Sequence, residues 1–244
     1  MEQTNYINIK EAERVFDEYV ASYDMSDAKI RLKVEHIKRV KEKARSLAES
    51  LELSEEQVQL ASLIGMLHDI GRFEQVKIYN TFSDHKSVDH AEYGVKVLFE
   101  DGLIRKFLPT KEYDNIIKKA ISNHNKYKIE DGLSEEELLH AKLIRDADKI
   151  DILYTVKNEP FTTLYETDDI SEEVISDDVY KNIIEGKIAD YRIAKTHMDN
   201  WVTMAAFSYD LNFPYSYATI KDDVFGCINR IDYKNNDTRE KIAN

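Results

Sequence analysis

Residues 26–71 read SDAKIRLKVEHIKRVKEKARSLAESLELSEEQVQLASLIGMLHDIG. Ile30, Val34, Ile37, Val40, Ala44, Leu47 and Leu51 recur at steps of three and four, which is one apolar stripe along a helix. The spacing predicts a long helix over 26–51. Ser54-Glu55-Glu56-Gln57 then has the form of a capping box, in which the first and fourth residues exchange bonds with free backbone N–H groups. The helix it opens is read through Ile64 and Leu67 to His68, with Gly71 as its stop. Two amphipathic helices in succession, with no period-two alternation, predict an all-α fold.

The rest of the chain continues in the same pattern. A short amphipathic helix is predicted over 8–21. Residues 72–87 lack helical period and read as a long polar loop, of the length that usually carries function. Helix resumes over 88–101 and closes at Gly102. Pro109-Thr110 precedes another, with Ile117, Ala120 and Ile121 leading to His124. After a polar loop at 125–133, Ser134-Glu135-Glu136-Glu137 is a second capping box. Its helix carries Leu139, Leu143, Ala147, Ile150 and Tyr154 on one face. Residues 158–176 are acidic and irregular. Helices follow at about 177–186, 190–208 and 216–231, and the polar tail after Tyr233 is expected to fray.

Composition agrees with helices. The 244 residues include only 7 glycines and 3 prolines, poor material for a β-sandwich or a doubly wound fold. With 42% apolar and 33% charged residues the chain is neither disordered nor a membrane protein. A net charge of −13 repels polyanions and argues against general nucleic acid binding, while one local patch can still hold a small phosphorylated ligand. The single Cys227 makes no internal disulfide, MEQTNYINIKEAER has no apolar signal core, and no apolar run spans a bilayer. The expectation is a cytoplasmic protein without a membrane partner; nothing in the sequence sets an oligomeric state.

His68-Asp69 closes an apolar helix, and four other ligand-type residues hold comparable positions. His36 flanks the stripe of Val34, Ile37 and Val40; His90 lies one turn before Gly94, whose small size leaves room beside it. His124 continues the stripe of Ile117, Ala120 and Ile121, and Asp148 lies beside Ala147. A carboxylate facing a core is costly unless paired or bound to metal. One or two metal ions satisfy all six groups at once. Mixed imidazole and carboxylate ligation suits Fe or Mn, with Zn, Co or Ni also compatible, better than Mg or Ca.

The order His36, His68-Asp69, Asp148 resembles the HD superfamily of metal-dependent phosphohydrolases. The strings that carry the resemblance are VEHIKRV around His36, GMLHDIGR around His68 and RDADKID around Asp148, within residues 30–155. His90 in DHAEYG and His124 in ISNHN are similar to the six-ligand branch, which holds two metals. The resemblance implies that Asp69 bridges two divalent transition metal ions, that His36, His68 and Asp148 complete one shell, and that His90 and His124 complete the other. Asp148 is taken over Asp146 because the family's ligand occupies the A-D-K position, while Asp151 falls one turn on, as an outer partner or a helix-face charge. The chain is read as one HD-type domain over 1–244, its metal-site core at about 26–157 and a helical extension at about 158–233. Nothing in the sequence resembles the G-Y-P motif of the cyclic-di-GMP phosphodiesterases, and residues 177–244 match no known motif.

The implied activity is cleavage of a phosphate ester or anhydride in a small molecule, a nucleotide first among them, by a metal-bound hydroxide. Lys149, Arg72 and Lys86 are the cations expected on the phosphoryl oxygens, and His85 is a candidate for protonating a leaving group. Lys29, Arg31, Lys33, Lys38, Arg39, Lys41, Lys43 and Arg45, set against Glu35 and Glu42, can steer an anion or form a solvated helix face. Tyr127 and Tyr154 can stack a base or simply pack; His140 and His197 have no spacing that joins them to the cluster and are read as structural. Two other readings share the ligand set: a diiron oxygenase resembling myo-inositol oxygenase, and a non-catalytic ligand sensor.

Overall fold

The computed structural model describes residues 7–165, 167–189 and 193–244, and among these the chain is helical, with no strand. It divides into two compact units, one ending at Asp148 and one beginning at Lys149.

In the first unit, α1 (Ile9–Val20) starts where the Asn8 side chain accepts from the backbone N–H of Glu11, and it buries Ala12, Val15, Phe16 and Val20. Helix α2 (Ala28–Ser50), capped by Asp27, buries the stripe read from the sequence and carries His36 beside it. Helix α3 (Glu55–Leu67) is capped by Ser54 alone. The expected return bond of the capping box is not made, because the Gln57 side chain binds Glu136 and His140 instead. Helices α2 and α3 pack closely because Gly65 has no side chain: a Cβ there would stand 2.9 Å from Cα of Lys41.

Two expectations fail just beyond His68. Gly71 does not end a helix; it begins α4 (Gly71–Tyr79), so half of the predicted 72–87 loop is helical. Phe73 and Val76, one turn apart, supply the apolar face that the polar residues around them concealed. The glycine serves a different need. A Cβ at Gly71 would lie 2.4 Å from the carbonyl oxygen of His90 and 2.6 Å from the backbone nitrogen of Gly94. Gly71 therefore makes room for the backbone of α5 (His90–Val95), whereas a Cβ at Gly94 would meet its nearest neighbours only at 3.4 Å.

Helix α5 runs into a wider π turn over 96–100 and stops at Gly102, whose φ of +81° is left-handed. The short α6 (Ile104–Phe107), absent from the sequence reading, buries Ile104 and Phe107. Helix α7 (Asp114–Asn123) ends at His124. Helix α8 (Glu135–Asn158) opens on a reciprocal box, Ser134 and Glu137 each receiving the other's backbone N–H. The boundary between the units falls inside α8.

The second unit contains α9 (Phe161–Tyr165), α10 (Asp177–Ile184), α11 (His197–Ala205), α12 (Pro214–Ile228) and α13 (Asn236–Ala243). Residue 166 of the irregular segment, and residues 190–192 at the start of the helix expected over 190–208, lie outside the described residues. What is described of that helix begins at His197, behind a Thr196–Asp199 capping box. The tail is ordered as α13 rather than frayed. Thr238 is buried, accepts from the backbone of Ile175 and donates to Glu173, which anchors a polar helix that has little apolar surface. Trp201 packs edge-on against Phe161, and the Arg230 guanidinium lies 4.4 Å from the Phe161 ring. Among the described residues no helix is long and apolar enough to cross a membrane.

Candidate metal centre

Three helix ends and two helix interiors of the first unit converge on Asp69. His68 caps α3 and Asp69 follows it; His124 caps α7; His90 starts α5. His36 comes from the middle of α2 and Asp148 from α8. All four imidazoles and Asp69 are buried.

The two oxygens of Asp69 serve different neighbours. Oδ2 lies 3.6 Å from Nε2 of His36 and 3.6 Å from Nε2 of His68. Those same two nitrogens stand 3.1 and 3.6 Å from Oδ1 of Asp148. Oδ1 of Asp69 lies 3.3 Å from Nε2 of His90 and 3.8 Å from Nε2 of His124. His36, His68 and Asp69 therefore form one group with ligand atoms within 4.8 Å of one another; Asp69, His90 and His124 form a second; His68, His124 and Asp148 link them.

Hydrogen bonds fix which imidazole nitrogens face inward. Nδ1 of His68 is 2.8 Å from the Gly65 carbonyl, Nδ1 of His124 is 2.7 Å from the Ile121 carbonyl, and Nδ1 of His90 is 2.6 Å from Oδ2 of Asp84. These oxygens only accept, so each Nδ1 carries a proton and each ring turns its Nε2 towards the centre. Burial, with the charge of Arg72, pushes His90 down to about 4, so its ring is neutral at pH 7. Nε2 of His90 and Nε2 of His124 stand 3.0 Å apart, close enough to share one cation. Two imidazoles at about 2.0–2.1 Å from one ion have nitrogens at such a separation. Nε2 of His68 and Oδ1 of Asp69 are buried without a hydrogen-bond partner, atoms whose desolvation calls for a ligand. The donor set fits divalent metal.

Charge points the same way. Burial disfavours both carboxylates, yet Lys33 and the imidazoles hold Asp69 well below the ordinary range, and the neighbouring His36 and His68 do the same for Asp148. A site that keeps two carboxylates ionised in a buried place is prepared for positive charge.

An outer layer, not read from the sequence, holds this cluster. Asp84 binds His90 and receives bonds from Arg72 and Gln75, which keep its carboxyl low despite burial. Fully buried Gln75 also donates to Ser87 and to the Val88 carbonyl, tying down the loop before His90. Asp89 joins Asp84 and His90 in a further acidic group, but its Oδ1 already caps α5 through Ala91 and Glu92. Arg145, buried on α8, donates to the carbonyls of Asn123 and His124 and so fixes the chain that presents His124. The acid six residues before His90 carries no signal in the sequence; only the fold joins Asp84 to His90.

The other candidates are placed as follows. Arg72 lies near the centre, its Nε 3.5 Å from Oδ1 of Asp69, but its Nη1 is committed to Gln75, the Phe82 carbonyl and Asp84. His85 and Lys86 are exposed on a single 3-10 turn. In the second unit, the Lys149 ammonium binds the carbonyl and carboxylate of Asp210. Asp146 and Asp151 are both fully buried, so Asp151 is no solvated helix-face charge. Tyr127 and Tyr154 are exposed. His140 is buried against Gln57, and His197 pairs with Glu173 at 2.8 Å.

Residues 34–153 match the family model of the HD domain, a stretch that contains all six residues of the cluster. The match supports the HD superfamily, a superfamily of metal-dependent hydrolases. Neither a curated protein nor a solved structure matches the chain.

Proposed function

We propose that this chain, an HD-domain protein by the match over 34–153, is a dinuclear metal-dependent phosphohydrolase that cleaves a phosphate ester or anhydride in a small molecule, with nucleotides as the substrate class. The observation that carries the reading is Asp69, one buried carboxylate with a different pair of imidazole nitrogens at each oxygen. In this reading Asp69, His36, His68 and Asp148 would hold one ion, and Asp69, His90 and His124 the other. Iron or manganese suits these ligands, and zinc, cobalt or nickel is compatible. When bound, such ions make water nucleophilic at neutral pH and neutralise phosphoryl charge.

The chain's own residues supply position. Protonated Nδ1 atoms on His68, His90 and His124 hold each ring in one tautomer, so no proton has to move before Nε2 binds a ligand. Asp84 orients His90, and Arg72 neutralises Asp84 while its Nε stays near the carboxylate of Asp69. A substrate role for Lys149 requires its pairing with Asp210 to open. In this reading His85 and Lys86, exposed before α5, would meet a leaving group or phosphate from solvent.

The test is a screen of nucleotides and phosphate esters with Mn, Fe, Co, Ni and Mg, using wild type and Asp69→Ala. Hydrolysis by wild type that disappears in Asp69→Ala with unchanged circular dichroism supports the reading. Full activity in that variant or in chelated protein contradicts it. Oxygen uptake by an iron-loaded protein without phosphate release contradicts it too and identifies an oxygenase.

A further inference from the structure

Lys33 lies on α2 one turn before His36, among the cations that the sequence left as a steering patch or a solvated face. It is neither remote nor solvated. Its side chain is 17% exposed, and its ammonium stands 2.6 Å from Oδ2 of Asp69, a residue 36 positions away. The contrast with Arg45 is direct: that side chain, on the same helix, pairs with Glu49 one turn on and remains 54% exposed. The Lys33 ammonium also lies 5.4 Å from the centre of the Phe82 ring, which the Arg72 guanidinium approaches at 5.7 Å. Phe82 therefore flanks both cations beside the carboxylate.

The oxygen that Lys33 holds is the one near His36 and His68. An ammonium at hydrogen-bond distance and a divalent ion on the same oxygen compete, since they use the same lone pairs and repel each other. We infer that Lys33 is an exchangeable cation of this centre: it neutralises Asp69 when no metal is bound, and metal releases it to hold an anionic phosphoryl oxygen of the ligand. The first half stands on the ion pair alone; the second rests on the phosphohydrolase reading. A lysine suits both roles, because its charge is a mobile point on a flexible stem rather than a rigid fork.

An ordinary structural ion pair predicts the reverse for metal. Removing one partner of such a pair weakens the site around it. Removing a competitor strengthens binding of the ion that replaces it. The experiment compares wild type, Lys33→Met and Lys33→Arg in Mn(II) titrations at pH 7.5, followed by calorimetric titration of the Mn(II)-loaded proteins with inorganic phosphate. Lys33→Met should bind the first Mn(II) about tenfold more tightly and inorganic phosphate about tenfold more weakly, and Lys33→Arg should recover most of the phosphate affinity. Equal or weaker Mn(II) binding in Lys33→Met overturns the exchange, and phosphate affinity that does not change overturns the ligand contact. If Lys33→Met does not match the wild-type circular dichroism, Lys33→Gln carries the same comparison. A wild type that hydrolyses no phosphate compound defeats the phosphohydrolase reading, while the Mn(II) titrations still decide the exchange.

Discussion

His36 and Asp148 come from the 23-residue α2 and the 24-residue α8, whereas His90 starts the six-residue α5 and His124 caps the ten-residue α7. The two halves around Asp69 also differ in charge. The first combines Oδ2 of Asp69 with the whole carboxylate of Asp148; the second has Oδ1 of Asp69 and the imidazoles of His90 and His124, with Asp84 behind His90 instead of beside its Nε2. A cation on the first half meets more negative charge at closer range. The second half depends on a loop pinned by Gln75 and Asp84. Under the proposed dinuclear reading, the difference predicts two sites of unequal strength, one built on long helices and one on an outer hydrogen-bond network.

The largest effect should come from the residue the halves share. Asp69→Ala should lower metal content close to zero and cut turnover by about 10³-fold or more, with helical circular dichroism retained. Metal analysis and initial rates check it. Retention of one ion would mean that Asp148 and the imidazoles hold it without a bridge.

Asp84→Asn touches the second half only. The amide keeps the shape and removes the charge that fixes the His90 tautomer, so affinity for the weaker ion should fall about 10–100-fold, with the tighter ion unaffected. Competition with a chromogenic chelator reads both affinities. Equal weakening of the two would erase the distinction between the halves.

A smaller effect separates the centre from a histidine outside it. Burial pushes His140 down to about 4 from an unfolded value of 6.5. Above pH 6.5 the ring is neutral in both states and contributes no pH dependence. As pH falls from 6.5 towards 4 the unfolded chain takes up the proton and the folded one does not, so stability is lost, by about 2 kcal/mol at pH 5. His140→Asn should flatten the fall in unfolding free energy over this window by that amount. An unchanged slope would assign the whole acid sensitivity to the metal-centre imidazoles.

The legible parts of this molecule are those where one period governs many residues. The stripe from Ile30 to Leu47 determines α2, and His36, His68, His124 and Asp148 were readable because each continues or borders such a stripe. Short elements were not legible. Helix α4 rests on Phe73 and Val76 alone, and α13 on a buried Thr238. Gly71 reads as a stop, whereas it is needed for the close approach of the α5 backbone, a contact between residues far apart in sequence. The same distance hid Asp84 behind His90 and Lys33 against Asp69: one acid in a polar loop and one lysine among eight cations carry no local mark of their partners.

The most direct test of the unequal, Asp69-centred pair is a Mn(II) titration of metal-free wild type beside His90→Ala, followed by electron paramagnetic resonance. Wild type should bind two ions per chain in separable steps, with spin coupling appearing only as the second enters, and His90→Ala should keep the tighter step and lose the weaker one. A wild type that binds one ion and never a second, or a His90→Ala protein that loses the tighter step, would contradict the account.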